Sequence, residues 1–245
     1  MKGLADFWSA VPLGRGVTLR HADANGLAAL VKPAGVLSHP NAPGEERRSL
    51  VSAPYAIEDE CYRWAETGAS RLWLINRLDS ATSGLILVAT DGALAAAVRA
   101  QFKRKQVHKV YQALVFGRPR QAAETWVDRL ATDKRGGRIR TGAGHVPAES
   151  RMTLVRAGTG VALLNLEPRT GRSHQLRVQC AKHGVPIVGD QTYGDFPRNR
   201  EFAKRAGTKR LFLHSGAIDF DYEWGGRTQH FAAAQPAPAE FEKYL

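Results

Sequence analysis

Two cysteines in 245 residues, Cys61 and Cys180, are too few and too far apart for a disulfide framework. Their spacing suits no metal site, and both read as plain buried thiols. Long hydrophobic runs are missing as well: no stretch reaches the roughly 18 apolar residues of a spanning helix. The opening MKGLADFWSAVPLG carries Asp6 and no sustained apolar core, so it does not read as a secretory signal. A cytoplasmic protein with no membrane association is the expectation. Thr170-Gly171-Arg172 lacks the lysine and the glycine spacing of a phosphate loop. His174 and His183 are nine positions apart (183 − 174 = 9), do not share a helix face, and have no third ligand nearby, so no metal is expected. Internal repeats and low-complexity segments are also lacking.

Acids are the scarcest charge. Lys and Arg number 35 against 23 acids, which gives 35 − 23 = +12 and a pI near 10.1. Such an excess in a chain that is 43% apolar points to a folded protein with a polyanionic partner, RNA or DNA first. The cations cluster at 102–109 (FKRKQVHK), at 133–140 (DKRGGRIR), and at 197–210 with Arg198, Arg200, Lys204, Arg205, Lys209 and Arg210. Each cluster alone is compatible with a solvated face. Together they read as a phosphate-binding surface.

Patterning gives a coarse map. Residues 1–26 are loop-like, and LAALV at 27–31 reads as a short strand entering the turn-rich KPAGVLSHP. Residues 50–66 read as helical after Pro54, with Ile57, Cys61 and Trp64 at near-helical spacing. Asp91 is a helix N-cap for 92–104, where Leu94, Val98 and Phe102 recur every four positions. VHKVYQALVFG at 107–117 reads as a strand, the polar, glycine-rich 118–160 as strands joined by basic loops, and 148–155 and 160–166 as a strand pair with Gly158 in its turn. Ser173 would cap a short helix over 174–183 with Gly184 as its C′ residue. LFLHSG at 211–216 is strand-like, and 236–245 frays or docks as a last short helix.

Between the apolar runs LWLI (72–75) and LILVA (85–89) lies the polar NRLDSATSG, so Asp79 would sit on a loop held at both ends by a sheet. That is a suitable mount for a reacting group, and equally for a turn-forming carboxylate bonded to its own backbone.

The wording of this loop, NRLDSATSGLILVA, resembles the active-site segment of the RluA-type pseudouridine synthases: His-Arg-Leu-Asp, two variable residues, Thr-Ser-Gly and an apolar strand. Asn76 stands where that family usually has His. A second block, LEPRTGRSHQLRVQCAKHGVPIVGDQTYG at 166–194, follows the family's later pattern, with Ser173 in place of Thr. KPAGV at 32–36, Lys109-x-Tyr111 and LFLHS at 211–215 match shorter elements.

The resemblance implies an α+β fold: a long, mixed but mostly antiparallel sheet flanked by helices, with a cleft across its middle. It implies one catalytic domain over 27–245, as two subdomains meeting after Tyr111, preceded by an extension at 1–26 too short for the S4-type RNA-binding module of many relatives. The implied reaction is isomerisation of a uridine in rRNA or tRNA, with no cofactor, by a monomer with no obligate protein partner. Asp79 is the implied catalytic residue, Arg177 its ionic partner, and Tyr111 the ring that stacks on the target base. Arg77 would fill the space left by the flipped base, and Val178 would pack against the base or its tyrosine partner. Lys109, Arg172, His174 and Gln175 would contact RNA or base. Two rivals stand beside this reading. A catalytically silent RNA-binding or ribosome-assembly protein would not need Asp79, Tyr111 and Arg177 all intact. A basic glycosidase or nuclease would need a second carboxylate or a metal cluster.

Overall fold

The computed structural model of the protein describes residues 3–65, 70–132, 139–141 and 145–245. The chain divides into two compact units. The first comprises Met1–His108 with Ala217–Gln235, the second Lys109–Gly216 with Pro236–Leu245.

The first unit holds α1 (Leu4–Ala10), β1 (Thr18–Ala22), β2 (Leu27–Lys32), β3 (Tyr55–Ala56), β4 (Cys61–Trp64), β5 (Ser70–Leu74), β6 (Ser83–Ala89) and α2 (Gly92–Lys103). Strand β7 (His108–Phe116) begins at its border. The second unit adds β8 (Ala123–Thr132), β9 (Ile139–Thr141), β10 (Val146–Ala157), β11 (Val161–Pro168), α3 (Gln175–Lys182) and α4 (Phe196–Ala206). Strand β12 (Leu213–Trp224) starts among the residues of the second unit and runs on into those of the first, where β13 (Arg227–Ala234) follows it.

In the first unit β2 pairs with both β1 and β6, β6 with β5, β5 with β4 and β4 with β3, every ladder antiparallel. Every residue of β6 is buried, which explains why LILVA within it reads as a continuous apolar run and not as an alternation. Helix α2 covers part of this sheet. Asp91 caps it, accepting from the Ala93 and Leu94 amides at 2.8 and 2.9 Å, and Leu94, Ala95 and Val98 pack into a core with Leu27, Leu85, Leu87, Phe220 and Phe231. The register of β2 on β6 sets Lys32 opposite Gly84, so the strand ends beneath the loop that carries Asp79.

The second unit is an antiparallel sheet in the order β7-β11-β10-β8-β9. Leu114, Phe116, Val161, Leu163, Val188, Phe202, Phe212 and Phe241 form its aromatic-rich core, Phe202 coming from α4.

An α+β architecture built on mostly antiparallel strands is what was expected. Three local expectations are corrected. The described residues 50–65 are not helical: β3 and β4 lie there, and Cys61 sits opposite Trp73 of β5, a partner twelve positions away that helical spacing cannot reveal (73 − 61 = 12). Ile57, placed on the supposed apolar face, is 69% exposed. Residues 1–26 are not merely loop: α1 packs Phe7 against Trp64, and β1 joins the sheet. His174, not Ser173, is the residue before α3, in the left-handed region at φ 54° and without a side-chain cap. The basic stretch 197–210 is largely helical, as α4, with Asp195 accepting from the Arg198 amide and Gly207 at its end. The cluster at 133–140 lies mostly outside the described residues.

Gly189 has φ +79°, and a Cβ there would fall 1.7 Å from the Arg210 carbonyl oxygen. Gly189→Ala is therefore expected to cost at least about 2 kcal/mol, read as a lower urea midpoint with an unchanged slope.

Candidate active site

Asp79 occupies the loop between β5 and β6, as its flanking apolar runs indicated. The loop is held at several points. Ser38 Oγ accepts from the Leu78 amide (3.0 Å) and donates to the Leu78 carbonyl (2.7 Å). The Gly35 amide donates to the Ser80 carbonyl (2.7 Å), and the Thr82 amide to the Asp79 carbonyl (3.0 Å). Asn76 Oδ1 accepts from the Leu87 amide of β6 at 2.7 Å, so the residue that departs from the expected His supports the loop.

Lys32 was not singled out by its sequence. It is fully buried, and its ammonium donates to the carbonyls of Pro33 (3.0 Å), Val36 (2.7 Å) and Ser80 (3.0 Å). Burial pulls its pKa from the usual lysine range down to about 7, while attraction to the Asp79 carboxylate works the other way. The ammonium thus ties the 33–36 turn to the Asp79 loop and places a cation near the carboxylate. Arg77, two positions before Asp79, is exposed and has no hydrogen bond or ion pair among the described residues.

In the second unit, Lys109 and Tyr111 lie two residues apart on β7 and so share one face, with Tyr111 opposite Leu166 of β11. Burial lowers the pKa of Lys109. Arg177, on α3, is buried, and its guanidinium grips Asp190 as a two-pronged fork: Nε to Oδ2 and an Nη to Oδ1, both at 2.8 Å. Asp190 is 1% exposed and also accepts from the Thr192 and Tyr193 amides at 2.9 and 3.0 Å. Burial pushes its pKa up, but the bonds and charge of Arg177 and the two amides outweigh this and hold it below the usual carboxylate range. The Arg177 guanidinium lies 5.1 Å from the centre of the Tyr193 ring, whose hydroxyl is 2.8 Å from His174 Nδ1. His174, Tyr193, Arg177 and Asp190 thereby link the start of α3 to the turn after Gly189.

The other expected contact residues separate by environment. Gln175 is buried and braces the fold: its amide donates to the Glu149 carbonyl and Ser150 Oγ, and its oxygen accepts from Thr170 Oγ1 and the Arg172 amide. A role at RNA is not open to it while those bonds hold. Val178 packs with Leu130, Ala148 and Tyr193. Arg172 is exposed, with Nε 3.3 Å from the Pro147 carbonyl. In the 197–210 cluster, Arg198 is bound to the Gly160 carbonyl and Arg210 is paired with Glu240, whereas Arg200, Lys204, Arg205 and Lys209 face solvent.

Residues 26–182, which include the Asp79 loop, Tyr111 and Arg177, match the family described as RNA pseudouridylate synthase. The chain belongs to that family. An uncharacterized RNA pseudouridine synthase of Chloroflexus aurantiacus is 34% identical over 216 residues, 87% of this chain and 64% of that one. Ribosomal large subunit pseudouridine synthase C of Vibrio parahaemolyticus is 32% identical over 76% of this chain and 58% of that one. The tRNA pseudouridine synthase C of Yersinia pestis is 29% identical over 86% and 84%. The chain thus spans less than two thirds of the length of the first two. In fold it is similar to human RNA pseudouridylate synthase domain containing 4, with a TM-score of 0.69 and 23% identity over 93% of this chain and 91% of that one. Among the described residues no helix is long and apolar enough to cross a membrane.

Replacing Lys32 by Met would leave three buried carbonyls without their donor, at about 1–3 kcal/mol for each left unpaired. Urea unfolding of Lys32→Met is expected to show a loss within that scale. The wild type's advantage should grow as pH rises from about 7 towards 10, because the unfolded lysine then binds a proton that the folded one has released. A pH-independent gap would contradict the lowered pKa.

Proposed function

We propose that this chain isomerises a uridine in RNA to pseudouridine, with Asp79 as the catalytic residue. The observation that carries the reading is the family match across 26–182, with Asp79 on a braced loop within it. The N1–C1′ bond of the uridine breaks, the uracil turns within the pocket, and C5 bonds to C1′. Nothing is oxidised and no group passes to water, so the reaction asks for no cofactor.

Asp79 acts as an anion towards the ribose, adding to C1′ or taking the C2′ proton. The Arg177 guanidinium stabilises that anion by charge, and the bidentate grip of Asp190 fixes the guanidinium's orientation. Tyr111 stacks on the uracil, and Val178 contributes to a dry, apolar lining that keeps water from an intermediate. A stacked uridine must first leave the helix, at a cost of a few kcal/mol, and Arg77 takes its place. Lys109, Arg172 and His174 contact the RNA, and the exposed cations of α2 and α4 contact its phosphates. Ribosomal RNA and tRNA are the candidate substrates, as the names of the Vibrio and Yersinia relatives indicate for those proteins. The protein works in the cytoplasm as a monomer, with no obligate protein partner.

Asp79→Asn is expected to lower pseudouridine formation by about a thousandfold or more, with RNA affinity nearly unchanged, in a tritium-release assay on bulk RNA. Arg177→Lys, which removes the planar fork, should lose more than about tenfold. Near-normal turnover in Asp79→Asn would refute the assignment.

A further inference from the structure

Beside the Asp79 loop lies a pair of rings that no part of the proposed chemistry uses. The His39 imidazole and the Tyr55 phenol stack face to face, with centroids 4.7 Å apart and planes 10° from parallel. Both remain partly exposed. The pair is rigidly mounted. Tyr55 lies on the short β3 and meets the fully buried Tyr62 edge-on at 4.9 Å. The Tyr62 hydroxyl donates to the Ser38 carbonyl at 2.5 Å. Ser38 in turn clasps both the amide and the carbonyl of Leu78, the residue between Arg77 and Asp79. His39 Nδ1 is 2.9 Å from the Pro40 carbonyl, which can only accept, so this nitrogen carries the proton and the ring is held in place.

Two further observations say what such a platform suits. Arg77 is close enough to Tyr55 to act on its phenol by charge, and it is exposed with no hydrogen bond or ion pair among the described residues. The chain just after Tyr55 carries the exposed acids Glu58, Asp59 and Glu60, the last two paired with Arg63 and Arg99, so the ring pair does not belong to a broad phosphate-attracting patch. Flat rings with one free guanidinium alongside, and acids near by, suit a nucleobase better than a run of phosphates. A half-exposed aromatic stack of this kind extends readily by one more planar ring.

We propose that the His39–Tyr55 stack is a subsite for an unpaired base of the substrate RNA, a neighbour of the target uridine, which continues the stack while Arg77 contacts the same strand. This rests on the RNA-modifying reading above. It adds a feature of specificity: the flanking nucleotide must be unstacked from its own helix to be held.

The test uses a short oligouridylate carrying one 2-aminopurine, whose fluorescence is quenched on stacking, titrated against the full chain at several salt concentrations. His39→Ala is expected to bind about tenfold more weakly and to lose the quenching, with an unchanged salt slope. His39→Phe, which keeps a flat ring, should restore both. Arg77→Ala should instead lower the salt slope by about one. Wild-type affinity and quenching in His39→Ala would overturn the proposal. So would a loss that His39→Phe fails to restore, since the ring would then matter only to folding or through its nitrogens. Pseudouridine formation in bulk RNA, measured on the same preparations, separates the two readings. Wild-type turnover with an indifferent His39→Ala removes the stacking subsite alone. The quenching pattern without any turnover removes the catalytic reading and leaves an RNA-binding stack.

Discussion

A single buried ammonium sets the terms for the first unit. The strand LAALVK is apolar until its last residue, and there Lys32 is fully enclosed. Sealing a charge inside a protein costs several kcal/mol, and three carbonyl dipoles at 2.7–3.0 Å offset much of that. Those carbonyls come from two separate stretches of chain, so the lysine is solvated only when both are folded against it. The register of β2 on β6 puts it there. A slip of one residue would turn Lys32 to the opposite face and leave the carbonyls empty, so strand pairing and loop geometry stand or fall together.

The second unit solves a similar problem with the signs distributed differently. Arg177 and Asp190 are both buried and satisfy one another through two parallel bonds, with backbone amides completing the carboxylate's shell. Asn199 of α4 locks the backbone on either side, accepting from the Gly189 amide and donating to the Asp190 carbonyl. A pair built this way adds little net stability, but it fixes where a guanidinium points. In each unit the group nearest the implied chemistry is immobilised by its own local neighbours before any substrate arrives.

The legible parts of this molecule were those decided locally. Asp91, the Leu94–Val98 stripe and the apolar run of β6 announce themselves because capping, helical period and burial act within a dozen residues. Residues 50–66 misled because Ile57, Cys61 and Trp64 satisfy a helical period by accident, while the pairing of Cys61 with Trp73 is set by another strand. Two elements were signalled and overlooked. Asp195, Pro197 and Gly207 mark both ends of α4, and Gly225-Gly226, with φ of 60° and 72°, is the turn that folds β13 back on β12. The candidate site divides in the same way. Asp79 was legible from the wording of its loop, whereas Asp190 and Lys32 were not, because what they do depends on partners that no spacing rule links to them.

Both cysteines lie wholly inside, Cys61 on β4 and Cys180 on α3, and burial pushes the Cys180 thiol far above its ordinary range. A thiol shut away from solvent does not react with maleimides or nitroxide reagents. The native chain is therefore silent to such probes as it stands. A cysteine introduced at an exposed loop position such as Ser80 would be the one reactive thiol, ready for a spin label or fluorophore without any prior removal of native sulfur.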